Sequence, residues 1–244
     1  MNKPFRITFT GIDETCSLED LFALLDADSR IELGILYSDT RAGAGRYPHP
    51  GWIRETADRI TRTLGHGRVA LHICGSAVRR LLAGELLHPD LSVLGKFERI
   101  QLNGRISEDK AGSLRKFVWD LYGARVITQF DHNPSLHSLL DLADSHRCPD
   151  GVWRTTHEVL FDASGGRGLE RSEWPKHLGD WTCGYAGGLG PDNLQRELPR
   201  IAAAAGSFPY WIDMESKLRD EDDRFSLPLA RQALEAVLAA ETGV

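Results

Sequence analysis

This chain of 244 residues has few cysteines, and none of them are paired by spacing. Cys16, Cys74, Cys148 and Cys183 lie far apart and form no Cys-x-x-Cys. Zinc therefore has no support from ligand spacing, and a cytoplasmic protein with free thiols is the plain reading. No run of basic residues occurs, and the net charge is −6. That excludes the electrostatic footprint of a nucleic-acid binder. No apolar stretch is long enough for a transmembrane helix, and residues 1–4 lead into a strand pattern without a signal-peptide core. Repeats, low-complexity tracts and an interdomain linker are also missing, so one domain over residues 1–244 is expected.

What is present is an alternation of strand and helix patterns from end to end. Strands are predicted at 5–10, 31–37, 69–73, 99–103, 125–129, 158–162, 181–186 and 209–214. Helices are predicted from 18, capped by Ser17, and at 52–64, 76–82, 108–121, 136–144, 192–205 and 227–240. The segment 164–178 reads as a loop with a short helical turn. Eight strand–helix units in a chain near the typical 250 residues point to an α/β fold, a single (β/α)8 TIM barrel with its site on the C-terminal face. A doubly wound sheet would usually need fewer units and a phosphate fingerprint early in the chain.

Two strand ends carry most of the chemistry. Val159-Leu160-Phe161-Asp162-Ala163 delivers a carboxylate to the end of strand six. A buried aspartate needs a partner or a role, and barrel catalysis draws on strand C-termini. The plain alternative is a salt bridge to a loop arginine such as Arg167. Tyr185 to Asn193 delivers Gly187 and Gly188, then Pro191 and Asp192 at a helix start. Such a turn offers backbone N–H groups to an anion, although Gly-Gly also serves simply as a tight turn. His72, Gln101 and Gln129 sit on strands three to five, where polar residues could line a pocket for a hydroxylated ligand; His72 reads more readily as a satisfied core histidine. Glu215 follows strand eight. Pointing inward with Asp213, it would bind sugar hydroxyls or act as a base; otherwise it pairs with Arg219 or Lys217. A metal would require His72, Asp162 and Glu215 to converge, and no ligand spacing demands that, so neither metal nor cofactor is expected. The tryptophans read as packing. Tyr47 and Trp174, both in loops, are expected pocket walls, and residues 220–223 a solvated acidic loop.

Several strand ends, in order, resemble those of the phosphoribosylanthranilate isomerases, (β/α)8 enzymes of tryptophan biosynthesis. Thr8-Phe9-Thr10-Gly11-Ile12 followed by Glu19-Asp20 resembles the family's Lys-Ile-Cys-Gly-Ile and Glu-Asp. Ala44-Gly45-Arg46-Tyr47-Pro48 resembles Ser-Pro-Arg-Tyr, and Gln101-Leu102-Asn103-Gly104 resembles Gln-Leu-His-Gly. Phe161-Asp162-Ala163 with its following glycines resembles Leu-Asp-Ala. Ala186-Gly187-Gly188-Leu189-Gly190-Pro191-Asp192-Asn193 resembles Ala-Gly-Gly-Leu-Asn-Pro-Glu-Asn and is the most specific match. The resemblance implies an Amadori-type isomerisation with Asp162 as general acid, Arg46 as a carboxylate contact, and Gly187 and Gly188 at a phosphate. The family's general base is a cysteine where this chain has Thr10, and a threonine hydroxyl is a poor base. Its Ser-Ser-Gly phosphate turn is replaced by Glu215-Ser216-Lys217, where a carboxylate repels phosphate and only Lys217 or Arg219 could offset it.

The resulting expectation is an isomerase-like enzyme on a small sugar-like or amino-sugar-like substrate, a monomer or homodimer, with no nucleic-acid or membrane partner. Asp162 is its acid, and Glu215, His72 and Cys16 are, in that order, candidate bases. Two alternatives remain: a lyase or hydrolase on an unphosphorylated ligand, using Asp162 with Glu215, and a non-catalytic small-molecule-binding barrel.

Overall fold

The computed structural model describes residues 2–65, 67–85, 87, 96–104, 106–121, 124–130, 157–162, 172–179 and 181–243. Eight parallel strands close into a barrel in sequence order. They are β1 (Arg6–Thr10), β2 (Ile31–Tyr37), β3 (Val69–Ile73), β4 (Arg99–Leu102), β5 (Arg125–Phe130), β6 (His157–Phe161), β7 (Thr182–Ala186) and β8 (Tyr210–Met214). The helices among the described residues are α1 (Leu18–Ala27), α2 (Pro50–Leu64), α3 (Ser76–Leu82), α4 (Ala111–Asp120), α5 (Leu194–Ala205) and α6 (Leu227–Thr242). The (β/α)8 expectation holds. The helix expected at 136–144 and the loop 163–171, with Arg167, lie outside the described residues. No helix among the described residues is long and apolar enough to cross a membrane.

The strands read as apolar because both faces are covered. All seven residues of β2 are buried. Outward positions such as Ile7, Phe9, Leu33, Leu71 and Ile212 pack against helix residues such as Leu21, Ile53, Leu198 and Val237 in one core. Ser17 caps α1 by accepting the Asp20 N–H at 3.1 Å. Pro50 opens α2, where its missing N–H costs nothing.

Inward positions form two further levels. At the base, the Arg99 guanidinium donates from Nη1 to Glu32 at 2.6 Å and from Nε to Glu158 at 2.9 Å. Arg6 reaches Glu32 at 2.5 Å and Arg125 reaches Glu158 at 3.0 Å. Each of these carboxylates thus meets two guanidiniums, the condition for burying charge without leaving it uncompensated. Above this lies an apolar plug of Ile127, Leu160, Ala186 and Trp211. The Trp211 ring lies 4.3 Å from the Arg99 guanidinium carbon. Gly184 opposite has no Cβ because one would overlap the indole. The plug carries the rim.

Two element boundaries differ from the sequence expectation in ways that matter. Strand β6 ends at Phe161, which leaves Asp162 just beyond the ladder. Helix α5 begins at Leu194 rather than at 192. Asn193 causes this: its Oδ1 accepts the Gly190 N–H at 3.0 Å, and its Nδ2 donates to the Gly188 carbonyl at 2.8 Å. Pro191 and Asp192 therefore sit in the turn before the helix.

Candidate functional site

A small cavity opens at the C-terminal end of the barrel. Strand ends supply its walls: Gln101 and Asn103 from β4, Gln129 from β5, Asp162 after β6, Ala186 to Leu189 after β7, and Asp213 to Ser216 from β8. A wider cleft shares Asn103, Gln129 and Glu215 with it and extends beneath the β2–α2 loop past Arg46 and Tyr47.

Asp162 is buried and accepts the Gln129 Nε2–H at 3.1 Å. Gln129 is fixed at its other end, where its Oε1 accepts the Gly104 N–H at 2.7 Å. Gln101 donates to the Asn103 side-chain oxygen at 2.8 Å. Its own carbonyl oxygen, in a residue only 2% exposed, has no partner among the described residues. Asn103 donates in turn to Cys74 Sγ at 3.3 Å. The period of two along β8 brings Trp211, Asp213 and Glu215 to one face, the first in the plug and the other two in the cavity.

Asp213 accepts the Thr10 hydroxyl at 2.6 Å. Burial lifts its carboxyl from an ordinary 3.8 to about 7; the Thr10 hydrogen bond opposes the rise, and the charges of Glu215 and Asp162 add to it. Burial also raises Glu215, against the pull of Arg46. Arg46 donates to Glu215 at 2.5 Å and to Asp223 at 2.6 Å. Arg219 is buried; it donates to the Gly11 carbonyl at 2.6 Å and to Asp13 at 2.8 Å, and also binds Asp223. The β1–α1 loop, the β2–α2 loop and the segment after β8 are thereby tied together along one edge of the mouth.

Asp162, Glu215, Gln101, Gln129, Gly187 and Gly188 therefore converge on one cavity, and Arg46 and Tyr47 flank it. Gly187 and Gly188 have φ of 119° and 66°, values that favour glycine, at the cavity wall. Other expectations are corrected. His72 lies below the rim, buried, with neither ring nitrogen partnered among the described residues, so it is neither a pocket residue nor a satisfied core histidine. Burial, aided by the Arg99 charge, lowers its pKa to about 3, which leaves it a poor base. Lys217 packs over Gly190 and pairs with Asp192 at 2.8 Å, away from the cavity wall. Glu215 pairs with Arg46 rather than with Arg219 or Lys217. Cys16 is buried, with its thiol pushed up to about 11, so it supplies no thiolate near neutrality. Trp174 donates to Glu197 on α5 and packs edge-on to Tyr185, so it is no pocket wall. The weight of Asp213, named in the sequence only alongside Glu215, was missed; the alternation on β8 was the signal. Among the described residues, no group of three or more His, Cys, Asp or Glu side chains could hold a metal ion.

The barrel resembles solved isomerase structures. Phosphoribosyl anthranilate isomerase from Thermus thermophilus superposes with a TM-score of 0.58 at 18% identity, over 96% of this chain and 98% of that one. TrpF from Jonesia denitrificans gives 0.58 at 16%, over 97% and 98%. A mutant tryptophan synthase α-subunit from Pyrococcus furiosus also gives 0.58, at 13%, over 98% and 100%. At these identities the likeness shows the fold. No protein-family model and no curated protein matches the chain.

Proposed function

We propose that the barrel is an isomerase-like enzyme acting on a small sugar-like or amino-sugar-like molecule, with Asp162 as general acid. The observation that carries this reading is the convergence of Asp162, Asp213 and Glu215 on one cavity beside the Gly187-Gly188 turn and the amides of Gln101 and Gln129. An Amadori-type reaction needs a proton given to the ring oxygen and another taken from the neighbouring carbon. Asp162, oriented by Gln129, suits the first step. For the second, Asp213 is held by Thr10 at the position opposite the missing cysteine, with a pKa of about 7 that matches a base working near neutrality. Arg46 orients Glu215 and offers a guanidinium to a substrate carboxylate. The chain acts as a monomer or homodimer in this reading.

Turnover of phosphoribosylanthranilate, followed by fluorescence and abolished by Asp162→Asn, tests it. Absence of turnover in a folded protein refutes the family's own reaction. A second reading, a lyase or hydrolase on an unphosphorylated ligand that uses Asp162 with Glu215, is favoured by one observation. Lys217, the expected phosphate cation, is engaged by Asp192.

A further inference from the structure

The cavity carries more information about its ligand than the reaction class does. Three carboxyls line it, from Asp162, Asp213 and Glu215, and no Lys, Arg or His among the described residues does so. The nearest guanidinium, that of Arg46, is shared between Glu215 and Asp223 at its edge. Gln101 is an independent sign. Its side-chain N–H is spent on Asn103, so the amide is oriented with its carbonyl oxygen as the unsatisfied end. A buried acceptor without a partner is costly, and a ligand donor relieves it. Besides the Gly187-Gly188 turn, the wall therefore presents acceptors, on the three carboxyls and on Gln101. Thr10, the hydroxyl beside Asp213, is already donating to it.

From this arrangement we infer that the native ligand is an unphosphorylated polyol or sugar bearing a protonated amine, with the ammonium seated between Asp213 and Glu215 and a hydroxyl donating to Gln101. The inference rests on the reading of this cavity as a sugar-like substrate site and narrows its substrate class. An ammonium supplies three donors and a positive charge to the three carboxyls and the Gln101 oxygen. A phosphate supplies the reverse. The backbone N–H groups of the Gly187-Gly188 turn then meet hydroxyl oxygens rather than a dianion.

Matched probes test this by calorimetry, with EDTA present to exclude bound cations and at about pH 8, where Asp213 is mostly ionised. Glucamine, sorbitol and sorbitol phosphate differ in charge but share their hydroxyls. The expected order is glucamine at least about tenfold tighter than sorbitol, a free-energy gap of about 1.4 kcal/mol, with sorbitol phosphate weakest. Glu215→Gln, and separately Asp213→Asn, should each bring glucamine towards sorbitol while changing sorbitol itself far less. Gln101→Met should weaken glucamine and sorbitol alike. Equal affinities, tighter binding of the phosphate, or no detectable glucamine binding to the folded protein would overturn the inference. Its failure is distinguishable from failure of the isomerase reading. Amine preference without turnover refutes only the latter, whereas turnover of a phosphorylated ribosyl amine without amine preference refutes only the former.

Discussion

Replacing Asp213 with asparagine should stabilise this protein, and the gain should grow with pH. In the folded state the carboxyl titrates at about 7, against 3.8 when unperturbed. Between these values the folded chain holds a proton that the unfolded chain has lost. Stability from this group is thus complete below about pH 4, falls as pH rises, and levels off above about pH 7. Roughly three pK units at 1.36 kcal/mol each give a loss of up to about 4 kcal/mol across that window. The groups facing Asp213 are Thr10, which lowers its pKa, and Glu215, Asp162 and Glu32, which raise it together with burial. Asparagine keeps an oxygen for the Thr10 hydroxyl and has nothing to ionise. Urea unfolding followed by tryptophan fluorescence at about pH 4 and pH 8 measures the difference between wild type and Asp213→Asn at each. The difference should swing in favour of the variant by a few kcal/mol. A difference that stays constant with pH would refute the argument, because it would place the Asp213 carboxylate in contact with solvent.

Other substitutions probe other levels of the barrel. Arg99→Met leaves Glu32 and Glu158 buried with Arg6 and Arg125 as their remaining charged partners among the described residues, and should cost about 3–5 kcal/mol in urea unfolding. Gly184→Ala places a methyl into the Trp211 indole and should cost about 1–3 kcal/mol, partly restored by Trp211→Phe as a second change. Arg46→Ala removes the leading influence that holds the Glu215 pKa down, so Glu215 should titrate at higher pH, as read by carboxyl-carbon NMR.

The barrel was legible because its burial is uniform. A run such as Ile31 to Tyr37, interrupted only by Glu32 and Gly34, reads as a strand covered on both sides, and eight such runs separated by helices leave few architectures. The Gly187-Gly188 turn and Asp162 were legible because strand ends face the mouth by topology. What the sequence hid was depth and partnership. His72 and Gln101 are neighbours in register on β3 and β4, yet Gln101 reaches the rim while His72 stays among buried groups near Arg99. That distinction follows from the stagger of the closed barrel, which no single strand records. Lys217 and Arg46 have long side chains whose partners, Asp192 and Asp223, come from other loops. Their reach is set by the assembled mouth, so sequence proximity to a phosphate-like turn placed Lys217 wrongly. The early start assigned to α5 had a local cause: the pattern Pro191-Asp192 reads as a first helical turn unless the double hydrogen bond of Asn193 is known.

Thr10 and Glu215, the two positions where the sequence differs from the resemblance it otherwise carries, are physically linked through Asp213. A cysteine base at position 10 would act as a thiolate, and a thiolate beside Asp213 would add negative charge to a cavity already holding Asp162. Threonine there is neutral and donates a 2.6 Å hydrogen bond to Asp213. It thereby opposes the rise that burial imposes on that carboxyl. Removing a potential anion from β1 leaves room for another at the end of β8, and Glu215 occupies it with Arg46 in support. The Arg46 guanidinium is itself held by Asp223, from the segment tied through Arg219 to Asp13 in the first loop. Charge at the mouth thus sits after the eighth strand rather than on the first, held by ion pairs that join the loops of β1, β2 and β8. One side of the cavity carries the Glu215 carboxylate, and Asp162 accepts the Gln129 amide at another.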